Sequence, residues 1–340
     1  MNAIPSFFSA FADRSLFLVW GPPSHGPRSQ VFAKELGIRE LHFIDVTSKR
    51  GAWTAPFKYA LQAIRTFSLL LRKKPNLVFV QSPPGLAVFV VYLYCVMTGG
   101  HYIVDAHSAA LQLAFWTKPR WFWSALARKA LMTIVTNEHF EKMLNDWGAR
   151  ALVLHDIPTT FPNGAPYPMN GDFNVTVVNT FSSDEPLEEI LGAAREMKGV
   201  KFYITGKVSR ASPSILELAS ENVAFTDFLS TEKYYALMRT SHAVMCLTTR
   251  NHTMQRGACE ALSMGKPIIT SQWPLLQEYF NKGTVHVDNT KSGIRDGVYE
   301  MKAHYDRYQL GIRELQISQQ AEWRKKIGEL TTLVESVLEV

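Results

Sequence analysis

Residues Asn251 to Ser271 read NHTMQRGACEALSMGKPIITS, a polar turn running into a short helix that carries one acid, Glu260. Gly265-Lys266-Pro267 breaks that helix, and the apolar run Ile268-Ile269-Thr270 follows. The free N–H groups at a helix start, with their partial positive charge, make a seat for a diphosphate. Thr253, Met254 and Gln255 open the helix and offer such N–H groups whatever their side chains. Glu260, farther along, has the reach to meet sugar hydroxyls attached to that diphosphate. An ordinary strand–helix–strand unit with a surface acid has the same spacing, so this stretch alone leaves both readings open. Lys207 ends another strand-like run, where a cation can neutralise a leaving diphosphate, with Arg210 or Arg256 to assist. Asp105 and His107 close a further run. A His there can contact a donor sugar or phosphate, or take a proton from an acceptor when its pKa lies near neutrality; Asp105 reads equally as a brace.

The elements that must hold these residues alternate in the manner of parallel βαβ units. In the first half, strands are expected at 16–20, 41–46, 77–81, 102–105, 133–136 and 152–155, with helices at 57–74 and 139–147 among those between them. Residues 157–171, rich in Pro, Asn and Gly, read as a linker. The second half repeats the scheme at 175–179, 201–205, 223–225, 243–247, 267–270 and 284–287, and the tail from Tyr305 is long, helical and charged. The predicted organisation is α/β: an N-terminal Rossmann-like domain over 1–157, a linker over 158–171, a second Rossmann-like domain over 172–304, and a helical segment over 305–340. Gly21 to Gly26 reads GPPSHG rather than GxGxxG, which argues against a dinucleotide fold.

Composition agrees with a folded, two-domain protein: 340 residues, 46% hydrophobic and 19% charged. Cys95, Cys246 and Cys259 have no paired spacing and suit reduced thiols in a cytoplasmic protein. No secretory leader is expected at residues 1–15, and the longest apolar run, Leu86 to Met97, is too short to span a bilayer. No His/Cys/Asp cluster has metal-ligand spacing, so metal-independent chemistry is expected, with no cofactor. Residues 1–157 hold 17 Lys+Arg against 9 Asp+Glu, whereas residues 158–340 hold 19 against 21. A basic first half implies an anionic partner. Lys58, Arg65 and Arg72 recur every seven residues along one predicted helix, and Trp116, Arg120, Trp121 and Trp123 lie in a run of aromatics and cations. Together they suit an anionic membrane surface. A core role for the aromatics is the alternative. No nucleic-acid motif accompanies them.

EAL-x-MGKPIITS resembles the donor-binding signature of GT-B glycosyltransferases, in particular glycosyltransferase family 4. The resemblance implies two doubly wound Rossmann-like domains facing across a cleft, with a C-terminal helix, and it implies that Glu260 binds the ribose of a nucleotide-sugar. The family's second acid falls at His252, and its Arg-and-Lys pair near Thr180 is absent, since 181–189 reads FSSDEPLEE. Further segments are similar, in order over about residues 75–290, to the β-mannosyltransferases that extend dolichol-linked chitobiose: Phe79 to Pro84, Ile103 to Ser108, Val153 to Pro158, Ile204 to Lys207, and Phe228 to Glu232 followed by Tyr235. The same resemblance makes the first loop, with Ser24, His25, Gly26 and Arg28, the place where an acceptor enters. Arg28 would meet an acceptor phosphate, and Gly26 would allow close approach.

The expected function is transfer of a hexose-type sugar from a UDP- or GDP-linked donor to a lipid-linked or membrane-proximal glycan. The expected location is the cytoplasmic face of a membrane. A non-catalytic GT-B subunit and a nucleotide-sugar epimerase on the same fold are the alternatives.

Overall fold

The structure, a computed structural model, describes residues 14–23, 27–46, 55–155, 161 and 164–338. The chain divides into two compact units, 1–157 together with 323–340, and 158–322. Each is built on one six-stranded parallel sheet.

In the first unit the strands are β1 (Ser15–Val19), β2 (Glu40–Phe43), β3 (Leu77–Ser82), β4 (His101–Ala106), β5 (Met132–Val135) and β6 (Ala151–Val153), in the order β2-β1-β3-β4-β5-β6. β1 and β3 are buried along their whole length, as unbroken apolar runs require when helices cover both faces of a parallel sheet. One face packs under the helices Ala55–Lys73 and Gly85–Thr98, with Leu69, Leu70, Val88 and Val91 in its core. The second of these helices is apolar almost throughout and stops at Gly99, whose left-handed φ of 75° closes it with a bond to the carbonyl of Cys95. The other face carries stacked Phe17 and Phe79, and Trp323, Ile327, Leu330 and Val334 join that core from the end of the 34-residue helix Tyr305–Leu338.

The second unit has β7 (Phe173–Val177), β8 (Val200–Thr205), β9 (Val223–Asp227), β10 (Ala243–Cys246), β11 (Ile268–Ser271) and β12 (Thr284–Val287), in the order β12-β11-β10-β7-β8-β9. The chain runs outward from β7 through β8 to β9 and then returns to β10 on the other side. The strand order therefore reverses between β7 and β10, and in open α/β sheets ligands bind outside the carboxyl ends of the strands at such a point. In the first unit the corresponding reversal lies between β1 and β3. Twelve expected strands are present, each within two residues of its expected start.

Candidate functional site

At the reversal point of the second unit, the helix Arg256–Ser263 follows β10. Gly257 lets it sit directly on the sheet, since a Cβ there would stand 2.8 Å from Val178 and 2.9 Å from the sulfur of Cys246. Gln255 is its N-cap residue, with extended backbone and no capping bond from its own side chain. Thr253 and Met254 lie ahead of the helix rather than opening it, so the first-turn N–H groups belong to Arg256, Gly257 and Ala258. His252 has a left-handed φ of 55° and donates its N–H to the side chain of Asn251 at 2.7 Å. The backbone there is a turn, and His252 is part of it.

Glu260 is buried in the second turn of this helix. Its Oε1 accepts from Arg256 Nε at 2.9 Å, and its Oε2 accepts from the Tyr234 hydroxyl at 2.9 Å. Tyr234 comes from the helix Thr231–Thr240, and sequence reasoning passed over it in favour of the neighbouring Tyr235. Lys207 is exposed just beyond β8. The residue before it must be glycine: Gly206 has φ 108°, and a Cβ would fall 2.4 Å from the carbonyl oxygen of Asn179. That close approach brings the loops after β7 and β8 together. Arg210 ends a short exposed 3-10 turn, Val208–Arg210.

The loop after β7 holds what the sequence did not reveal. Glu185 folds back and accepts the N–H of Thr180 at 2.9 Å, the N–H of Ser182 at 2.8 Å and the hydroxyl of Thr180 at 3.0 Å. Phe181, left-handed at φ 60°, turns those amides inward. Asp184 accepts from the Thr248 hydroxyl at 3.0 Å and lies 3.3 Å from Arg250, tying this loop to the end of β10. Burial opposes ionisation of Asp184, but its bonds from Ser182 and Thr248 and the Arg250 charge outweigh that and hold its pKa below the ordinary value. Acids therefore organise the segment from which the basic pair is missing.

In the first unit, Asp105 closes β4 with no exposed surface. Its Oδ1 lies 3.3 Å from Arg28 Nε, and its Oδ2 lies 3.4 Å from His107 Nε2. Arg28 also donates to the carbonyls of Leu154 at 3.0 Å and His155 at 3.3 Å. The guanidinium expected to face an acceptor phosphate is buried and braces the ends of β4 and β6. Asp105 likewise acts as a brace and as the partner of His107. Burial would raise the Asp105 pKa, yet the Arg28 charge and the His107 contact keep it below the ordinary value. His107 is partly exposed and caps the helix Ser108–Gln112, with its N–H on the carbonyl of Ser82 at 2.8 Å. Ser24, His25 and Gly26 lie outside the described residues.

Solved structures share this architecture along nearly the whole chain. Sucrose-phosphate synthase from Thermosynechococcus elongatus superposes with a TM-score of 0.69 at 12% identity, over 95% of this chain and 99% of that one. HepE from Anabaena, in complex with UDP and glucose, gives 0.69 at 12% identity over 96% and 94%. The fold is GT-B. A putative UDP-N-acetylglucosamine 2-epimerase from Listeria monocytogenes is a further GT-B neighbour, with a TM-score of 0.65 at 12% identity over 96% of each chain. Within this GT-B chain, residues 184–324 match the family described as glycosyl transferase-like. Chitobiosyldiphosphodolichol beta-mannosyltransferase from Mus musculus is 23% identical over 174 residues, 46% of this chain. The match covers only 35% of the mouse protein's length.

The aromatic and basic residues of the first unit separate into two groups. Trp123 packs against its core, with its ring so close to Gly85 that a Cβ there would stand 2.7 Å away. Trp116 lies edge-on to Trp123. These two are therefore packing residues, contrary to the expectation that they face a membrane. Trp121 is 72% exposed and Phe115 70%. Arg65, Arg72 and Arg120 are exposed and Lys58 is half-buried. Phe57, Ile64 and Leu71 of the same helix are exposed at the same seven-residue spacing, each one residue ahead of a basic side chain. Val96 and Met97, on the helix Gly85–Thr98 that packs beside this one, are exposed as well. Among the described residues, no helix is long and apolar enough to cross a membrane.

Proposed function

We propose that this GT-B protein is a metal-independent glycosyltransferase. It moves a hexose-type sugar from a UDP- or GDP-linked donor to a lipid-linked or membrane-proximal glycan, while resting on the cytoplasmic face of a membrane. The observation that supports the reading is the placement of Lys207 just after β8 and of the Arg256–Ser263 helix, with Glu260, after β10, on the two strands that flank β7. The helix start and Lys207 receive the diphosphate, and Glu260 receives the ribose. An acceptor hydroxyl attacks the anomeric carbon, a new glycosidic bond forms, and the bond to the diphosphate oxygen breaks. The electron pair leaves with the nucleoside diphosphate, and the acceptor proton passes to His107.

The test is thermal stabilisation by a panel of nucleoside diphosphates and their sugars. A donor at one hundred times its Kd should add about 2.7 kcal/mol to stability. Glu260→Ala should erase most of that shift. No shift with any nucleotide would favour the non-catalytic subunit suggested by His252 and the missing basic pair. The epimerase neighbour supports a second reading, in which donor is consumed without acceptor; turnover that requires an acceptor would exclude it.

The membrane component rests on the exposed row Phe57, Ile64 and Leu71 beside Lys58, Arg65 and Arg72, and on the exposure of Phe115 and Trp121 in the same unit. Each cation near an anionic surface contributes about 1 kcal/mol. Replacing Phe115 and Trp121 together by Ala should cut co-sedimentation with phosphatidylserine vesicles by roughly tenfold, with unchanged thermal stability. Binding equal to that of the unaltered protein would remove this face from the reading.

A further inference from the structure

The proposed nucleotide-sugar reading leaves Tyr234 without a role, yet its hydroxyl meets the one acid assigned to the donor. Glu260 is gripped from two directions: Arg256 precedes it by one turn on its own helix, and Tyr234 reaches across from the helix Thr231–Thr240. A carboxylate has about four lone-pair positions. One hydrogen bond on each oxygen fixes its plane and leaves acceptor capacity on both, which is what a vicinal diol with two O–H donors can use.

We infer that Tyr234 is a positioning residue for ribose recognition, holding Glu260 so that its two oxygens take the 2′- and 3′-hydroxyls of a bound nucleotide. This rests on the reading of the site as a nucleotide-sugar site. The phenol is suited to the task because burial and the adjacent Glu260 charge push its pKa well above the ordinary value, so it stays a donor at every working pH. Arg256 cannot substitute for it. Its side chain is 43% exposed and arises from the same helix as Glu260, whereas Tyr234 supplies the contact from a separate element.

A carboxylate held in advance should discriminate ribose from deoxyribose more sharply than one that must be ordered on binding. The experiment measures calorimetric Kd values of UDP and GDP and of their 2′-deoxy and 3′-deoxy forms, on the full chain and on its Tyr234→Phe and Glu260→Ala variants. The unaltered protein should prefer the ribose form of one nucleotide by about tenfold or more, the scale of one hydrogen bond to a charged group. Glu260→Ala should abolish that preference. Tyr234→Phe should reduce it severalfold while leaving the Kd of the deoxy forms unchanged. The unchanged deoxy affinity reports that the site is still folded, which a merely structural contact would not separate from the ribose preference. If Glu260→Ala abolishes the preference and Tyr234→Phe keeps it, the inference is overturned and the donor site stands. If neither nucleotide binds the unaltered protein, the donor site and the inference fall together.

Discussion

Replacing Asp105 by Ala is expected to destabilise the first unit by about 3–5 kcal/mol, the range for removing one partner of a buried ion pair. Arg28 is buried beside it, and the carbonyls of Leu154 and His155 supply dipoles but no charge. The variant removes the carboxylate that lies 3.3 Å from the buried Arg28 Nε. Denaturant unfolding measures the loss directly, and a change below about 1 kcal/mol would show that the other contacts of Arg28 suffice without Asp105. The same pair predicts a pH dependence. The folded carboxyl titrates below its ordinary value of 3.8, so its contribution is complete above that value and lost as pH falls through the lower folded one. Asp105→Asn should remove that part of the acid sensitivity.

The second large effect concerns turnover. In the proposed reaction, loss of the Lys207 charge should slow transfer by about 10²–10³-fold. In the same proposed reaction, loss of the proton-accepting role given to His107 should slow it by about 10²–10⁴-fold. Lys207 is exposed, so Lys207→Ala should leave thermal stability unaltered and act on kcat more than on donor KM. His107→Ala should also leave nucleotide stabilisation intact, because the residues assigned to the nucleotide lie elsewhere in the chain. Single-turnover assays with the donor identified by thermal stabilisation would separate these effects from binding. Full turnover in Lys207→Ala would remove that residue from the site.

Strand positions were legible because buried parallel strands write themselves as short apolar runs between turn residues. Ser15–Val19 and Ile268–Ser271 are of that kind, and both are fully buried. The donor helix was legible for a similar reason, since Gly265 and Pro267 fix where it must end. The partners of its acid were not. Tyr234 reaches Glu260 across 26 residues of chain, and Arg28 reaches Asp105 across 77, so neither pairing leaves a local periodicity to read. Arg28 misled for this reason: a cation in a strand–helix loop looks like a ligand contact unless the buried acid facing it is known. Trp123 misled in another way. Its spacing from Trp121 places the two rings on different sides of one helix, and the side facing Gly85 is core. Glu185 and Asp184 were seen only as the absence of basic residues, whereas their bonds to Thr180, Ser182 and Thr248 shape the loop.

The long helix Tyr305–Leu338 belongs to the second unit through Glu322 and to the first from Trp323 onward. Trp323, Ile327, Leu330 and Val334 cover the same sheet face as Phe17 and Phe79. During synthesis, the ribosome delivers that cover only after every residue of the second unit has emerged. Until then that sheet face has the helix Pro27–Glu35 over it, through Phe32, Ala33 and Leu36, while the apolar surface that Trp323 to Val334 will bury stays open. Such a face is sticky in a crowded cell. The order of translation thus makes the second unit's folding a period of risk for the first, and the last turns of one helix end it.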